Sequence, residues 1–191
     1  MKIIKLLMVS GLFTFTFPAL ATEHYTLDPN HSYVQWHINH LGFSNPSGKW
    51  MAEGTLDFDQ NNIPNSKVTV TIPVANIITG IDELDKHLKG KLFFEVAKFP
   101  TATFVSDKID STGKNTFTMQ GTLSVKGISK PVTLAVTLNK IGKNPISNKE
   151  SVGFSATTKL KRSDFGITTL VPDISDEVDL NIEVEAFKGK K

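Results

Sequence analysis

Apolar residues recur at every second position through most of this chain, a period that suits a β-strand with one buried face and excludes an amphipathic helix. Val34, Trp36 and Ile38 alternate with polar neighbours. So do Trp50, Ala52, Leu56 and Phe58, then Val68, Val70, Ile72 and Val74, then Phe117, Met119, Leu123 and Val125. The same comb returns at Val132, Leu134, Val136 and Leu138, at Val152, Phe154, Ala156 and Leu160, and at Val178, Leu180, Ile182, Val184 and Ala186. An eighth, less regular strand runs through residues 101–109, where Phe104 and Val105 face opposite ways. Turn-forming runs separate the combs at 59–66, 111–115, 127–131 and 142–148. Short alternating strands with regular turns predict an all-β chain, an antiparallel sandwich or barrel. Eight of them favour a closed barrel, because closure leaves no exposed edge. No linker or change of composition divides residues 22–191, so one domain is expected there.

One segment breaks the period. Ile77, Ile81, Leu84 and Leu88 recur at three to four residues, which predicts a short helix inserted between two strands. Thr79-x-x-Asp82 resembles a capping box, Lys86, His87 and Lys89 fall in the last turn, and Gly90 is a candidate for the residue just past the end. Phe93, Phe94 and Phe99 follow. Such a helix with its aromatic cluster either plugs one barrel end with ordinary core residues or gates a cavity.

The first residues read as a leader. Lys2 and Lys5 form a basic start, Leu6 to Phe17 an apolar stretch of 12 residues, and Ala19-Leu20-Ala21 a cleavage pattern. A signal peptide over 1–21, a mature chain starting at Thr22 and a periplasmic location are expected. Without Lys2 and Lys5, 19 basic residues face 19 acidic ones, which argues against a nucleic-acid partner. No apolar run reaches the roughly 18 residues of a membrane-spanning helix.

Chemistry-bearing patterns are sparse. With no Cys, the chain has no disulfide, thiolate zinc site or cysteine nucleophile. No HExxH, P-loop or dinucleotide fingerprint occurs, so no catalytic residue and no cofactor is assigned. Four of the five His fall at 24, 31, 37 and 40. His37 and His40 differ by an odd number and face opposite sides of a regular strand, while His31 and His37 lie about 20 Å apart. No metal site is therefore expected, a bend near Asn39 being the one route to a pair. Strand parity sends Trp36, Trp50, Phe58, Phe117, Met119, Leu134, Phe154 and Leu180, with Phe104 from the irregular strand, into one interior. Eight strands enclose a space that side chains can fill or that one small ligand can occupy.

Read in order, the chain carries Tyr25-x-Leu27-Asp28-x-x-His31-Ser32-x-Val34, His40-Leu41-Gly42-Phe43, Gly54-Thr55-Leu56-x-Phe58-Asp59 and Asp85-Lys86-His87-Leu88. Phe93-Phe94, Phe99-Pro100-x-Ala102-Thr103-Phe104, Gly121-x-Leu123-Ser124-Val125-Lys126-Gly127 and Arg162-Ser163-Asp164-Phe165-Gly166-Ile167 follow. In this order and spacing they resemble the YceI-like, polyisoprenoid-binding family of bacterial periplasmic proteins. The resemblance implies a lipocalin-like, eight-stranded antiparallel barrel. It also implies a binder or carrier of an isoprenoid lipid, a polyprenyl phosphate or a quinone, without catalysis. An enzyme of isoprenoid or quinone metabolism, and an interaction scaffold with a solid core, are the alternatives. The nine interior residues would then line a tunnel for the tail, with Ile81, Leu84, Leu88, Phe93 and Phe94 as its lid. His31, His87, Arg162 and Asp164 are the candidates for the head group, Arg162 being best suited to a phosphate through paired hydrogen bonds. Leu84 and Leu92 stand where the family often has Arg and Asp, which makes the lid more apolar.

Overall fold

A computed structural model of the chain describes residues 22–189. The expected leader, 1–21, lies outside the described residues. Among the described residues the strands are β1 (Glu23–Leu27), β2 (Tyr33–His37), β3 (Ser47–Met51), β4 (Glu53–Phe58), β5 (Lys67–Pro73), β6 (Thr101–Ser111), β7 (Thr116–Val125), β8 (Ile128–Lys143), β9 (Glu150–Lys161) and β10 (Glu177–Lys188), with one α-helix, α1 (Asp82–Lys89). All strand pairs are antiparallel. The two halves of β10 pair with β1 and β2, and β4 and β3 continue the sheet beside those two. β1 with β2, and β3 with β4, are thus each one strand of the ring, broken midway. Counted so, eight strands close into an antiparallel barrel, as the sequence predicts.

The breaks have a chemical patch. Ser32, fully buried, donates its hydroxyl to the Glu185 carbonyl at 2.9 Å and accepts from the Glu185 amide at 3.3 Å. The Asp28 amide donates to the same carbonyl at 2.8 Å, and the Ala52 amide to the Ser32 carbonyl at 2.9 Å. A serine hydroxyl therefore stands in for ladder groups that the interruption would leave unpaired.

The irregularity of β6 also has a cause. Phe104 and Ile109 are both buried although they are five positions apart, because a bulge between Ser106 and Lys108 resets the parity. A second shift, at Leu138 and Lys140, does the same in β8. Two expected features differ in detail. The β7–β8 turn is Lys126-Gly127, both at positive φ as a two-residue hairpin turn requires, so 128–131 are strand rather than loop. Helix α1 starts at Asp82, leaving Ile77 outside it. Thr79 bonds Asp85, not Asp82: its hydroxyl lies 2.6 Å from Oδ1. Gly90 ends the helix in extended backbone rather than the left-handed form, its amide donating to the His87 carbonyl.

The connections after β2, β5, β7 and β9 gather at one end of the barrel, and those after β4, β6 and β8 at the other. Side chains fill the second end. Tyr25, Leu27, Leu56, Phe58, Val152 and Ala186 pack together there, with edge-to-face contacts from Phe58 to Tyr25 (6.0 Å) and to Phe154 (5.8 Å). Phe104, Ile109, Phe117, Leu134 and Val136 form the adjoining core, with Met119 against it. The first end is open.

Candidate ligand-binding site

At the open end the interior holds a cavity of about 420 Å³, within the usual range of small-molecule sites. Its walls come from alternate positions of β2, β3, β5, β6, β7, β9 and β10, the inward half of each comb. Val34, Trp36, Trp50, Ile72, Ala102 and Leu180 are among them. Trp36 can lie flat across β3 because its cross-strand partner is Gly48, where a Cβ would come within 2.6 Å of the indole. The Trp50 indole N–H donates to the Val74 carbonyl at 3.0 Å, whereas that of Trp36 is buried without a partner among the described residues.

All five predicted lid residues, Ile81, Leu84, Leu88, Phe93 and Phe94, line this cavity. The segment is held down at several points. Phe94 meets Trp50 edge to face at 5.2 Å, Thr169 Oγ1 donates to the Leu92 carbonyl at 2.8 Å, and Lys126 Nζ to the Lys91 carbonyl at 3.2 Å. Leu92 itself points outward, 68% exposed. The nine tunnel candidates divide. Trp36, Trp50 and Leu180 line the cavity. Phe58, Phe104, Phe117, Met119, Leu134 and Phe154 face the same interior but pack into the filled part. Parity identifies which side of a strand is inward and says nothing about how far along the barrel the space is filled.

Polar lining is limited. Apart from the two indoles, His40, Ser44 and Arg162 are the polar residues among the twenty-four that line the cavity. His40 was not among the head-group candidates. It follows the end of β2, where the chain bends and its amide bonds the Ser44 carbonyl at 2.8 Å. Strand parity has no hold on such a position.

The head-group candidates are not brought together. Arg162 alone reaches the cavity. It is buried, and its guanidinium is largely committed to backbone carbonyls of the loop before β10. Nε donates to Ser175 (2.9 Å), Nη1 to Ile167 (3.2 Å) and Thr169 (2.7 Å), and Nη2 to Ile174 (2.9 Å). Four of its five N–H groups are thereby used, so the paired hydrogen bonding expected toward a phosphate is not open to it. Burial lowers its pKa from the ordinary guanidinium value, against the opposing charge of Asp176. His87 and Asp164 are exposed and do not line the cavity.

His31 sits at the break between β1 and β2, its Nδ1 2.9 Å from Asp28 Oδ2. That hydrogen bond, with the charges of Asp28 and Glu185, raises the imidazole pKa above its ordinary value. Burial pushes the Asp28 carboxyl up, but its bonds to His31 and the Asn30 amide outweigh this and hold it low. A raised imidazole stabilises the fold below its unfolded pKa and loses that effect as pH rises through the folded one. A lowered carboxyl does the reverse at the acid end. The pair therefore supports the fold most between the ordinary carboxylate and imidazole ranges. Imidazole NMR should show His31 titrating above the ordinary histidine value, and Asp28→Asn should remove the shift. An unshifted His31 in the unaltered chain would refute the pairing. Asp28, His31 and Glu185 also place ligand atoms within 4.8 Å of one another, a set that could hold a metal, away from the cavity lining.

Comparison with known proteins adds a family. The pattern of the YceI-like domain matches residues 25–186. The protein YceI of Salmonella arizonae is 40% identical over 186 residues, covering 96% of this chain and 95% of its own. The crystal structure of the YCEI protein of Campylobacter jejuni superposes with a TM-score of 0.72 at 35% identity, covering 80% of this chain and 91% of that one. A polyisoprenoid binding domain from Saccharophagus degradans, implicated in plant cell wall breakdown, shares the fold with a TM-score of 0.66 at 14% identity, over 86% of this chain and 98% of that one.

Proposed function

This chain belongs to the YceI-like domain family, and from that premise we propose that it binds an amphiphilic isoprenoid lipid, tail inward, in the cavity under α1. The carrying observation is the lining: aliphatic and aromatic side chains from seven strands and the lid, with polar groups confined to the two indole N–H groups, His40, Ser44 and Arg162. Such a surface takes up chains with little directional chemistry, each buried methylene being worth about 0.8 kcal/mol. The use of this fold as a polyisoprenoid binding domain in Saccharophagus degradans supports a prenyl tail over other lipids. His40 and Ser44 both line the cavity, but among the described residues no hydrogen bond joins their side chains, and this favours holding the lipid over transforming it. A neutral head group, such as a quinone, suits the mouth better than a phosphate does, because Arg162 is committed to carbonyls.

The reading is tested by mass spectrometry of an organic extract from chain purified out of its own host. An intact isoprenoid at about one per chain is the expected result. An extract free of lipid, or one holding a converted product after incubation with the lipid, would overturn it.

The location belongs to the same proposal: a periplasmic carrier, exported with loss of residues 1–21. Its sequence basis is the basic start, apolar stretch and Ala19-Leu20-Ala21 pattern. N-terminal sequencing of the exported protein should begin at Thr22. A cytoplasmic protein still starting at Met1 would exclude it.

A further inference from the structure

Large apolar side chains are not spread evenly over the outside of the barrel. Of the nine that stand exposed among the described residues, Val105 lies on the outer wall, Ile146 in the connection after β8 at the filled end, and the other seven at the open end. Leu41 and Phe43 after β2, Leu92 after β5 and Leu170 after β9 are each more than half exposed, Phe43 at 90%. Hydrogen bonds set their three connections side by side. The Leu41 amide donates to the Asp173 carbonyl at 3.2 Å, the Ile174 amide to the Leu170 carbonyl at 2.8 Å, and the Thr169 hydroxyl, next to Leu170, to the Leu92 carbonyl. An apolar arc runs along the mouth, and Ile81, exposed yet also part of the cavity wall, continues it inward.

Two of these leucines are held against their own preference. Leu41 (φ 56°) and Leu170 (φ 60°) occupy the left-handed region, which disfavours a bulky side chain and suits Gly or Asn. Neither lines the cavity, and their exposure leaves little packing to offset the strain. Strained backbone that carries exposed apolar tips points to a partner outside the chain. The basic side of the arc is at Leu92. Lys91 precedes it, Lys126 Nζ reaches the Lys91 carbonyl, and neither lysine forms an ion pair among the described residues. Asp173, exposed, marks the other side.

We propose that the mouth docks on the surface of a lipid bilayer, with Leu41, Phe43, Leu92 and Leu170 entering the acyl boundary and Lys91 and Lys126 at the level of the lipid phosphates. Tips that are apolar at the end and basic at the side match that layering, phosphate outside and hydrocarbon within. The arc meets the cavity at Ile81, so a docked mouth opens from one apolar phase to another. The inference rests on the binding reading above and deepens it, since a prenyl tail then passes between bilayer and cavity without crossing water.

The test is co-sedimentation of the mature chain with phosphatidylcholine vesicles, and with the same vesicles containing phosphatidylglycerol, both free of isoprenoid. Binding to both is expected, about tenfold tighter with the anionic lipid, a gain that high salt removes. Phe43→Ser should weaken binding to both at least about tenfold, and Lys91→Gln should cost about fivefold on the anionic vesicles alone. Leu41→Asn and Leu170→Asn should each weaken docking about tenfold, while leaving the urea midpoint unchanged or raised, because Asn tolerates the left-handed backbone. Farnesol, a soluble prenyl alcohol, should bind all these variants as it binds the unaltered chain. The chain has two Trp, and both line the cavity, so intrinsic fluorescence reports its occupancy. No sedimentation with either vesicle would overturn docking and, where farnesol still binds, leave the binding reading standing; self-association lost in Phe43→Ser would then assign the arc to a second copy of the chain. Sedimentation without farnesol binding would overturn the binding reading and leave docking standing. Sedimentation unchanged in Phe43→Ser and both Asn variants would overturn the arc as the docking surface, and a lowered midpoint in both Asn variants would show that these leucines serve the fold instead.

Discussion

Replacing Arg162 with alanine should destabilise the fold by about 3–5 kcal/mol, because the change strips buried hydrogen bonds that a charged donor makes and leaves their acceptors unpaired. Arg162 is 8% exposed, and its guanidinium ties the carbonyls of Ile167, Thr169, Ile174 and Ser175 to the end of β9. These carbonyls belong to the loop that closes one side of the cavity mouth, so its geometry goes with them. Arg162→Lys should recover little, since one ammonium cannot reproduce a planar fork aimed at several acceptors. A melting temperature lowered by roughly 10 °C is expected for a domain of this size. A folded Arg162→Ala chain within about 1 kcal/mol of the original in urea would show that the carbonyl contacts contribute little.

Leu84→Asp should separate binding from folding. Leu84 lies on α1, lines the cavity and is only half-buried, so a carboxylate there can reach water in the empty protein. With a tail in place it faces hydrocarbon. Lost burial together with desolvation of the charge amounts to about 3 kcal/mol, or roughly a hundredfold in affinity for farnesol. Stability should change by less than about 1 kcal/mol, as for most substitutions at partly exposed sites. Farnesol affinity unchanged in this variant would mean that the tail does not pass under the helix. Phe117→Asp is no substitute for it. Phe117 is 4% exposed inside the filled core, so a charge there acts on the fold before it acts on any ligand.

Which parts of this architecture could be read from the sequence follows from the range of the interaction behind each. Inward and outward sides are written in alternation, and the nine predicted interior residues all face inward. The helix and its apolar contacts are written in a three-to-four spacing, and all five lid residues line the cavity. The broken strands were harder. Tyr25 and Leu27 form too short a comb to stand out, and the break after them is repaired by Ser32 reaching Glu185 across 153 positions, a contact that no local pattern encodes. The depth of the cavity is likewise a property of the whole barrel. Phe104 and Trp36 look alike in sequence, two aromatics on inward positions, yet one packs into the filled core and the other walls the cavity. Arg162 misled for a related reason. Its chemistry suits a phosphate, but four carbonyls supplied by folding of the loop after it take up the donors first. His40 was weighed only as a partner of His37 and not for the cavity, because it lies past the end of its strand, where parity no longer applies.

The central claim, a prenyl tail held in the open half of the barrel, is tested most directly by a crystal structure of the mature chain grown with farnesol. The account predicts continuous density for the chain between the lid residues Leu84, Leu88 and Phe94 and the walls formed by Trp36, Trp50, Leu123 and Leu180, ending above the filled core. An empty cavity, or farnesol seated on the outer surface of the barrel, would contradict it.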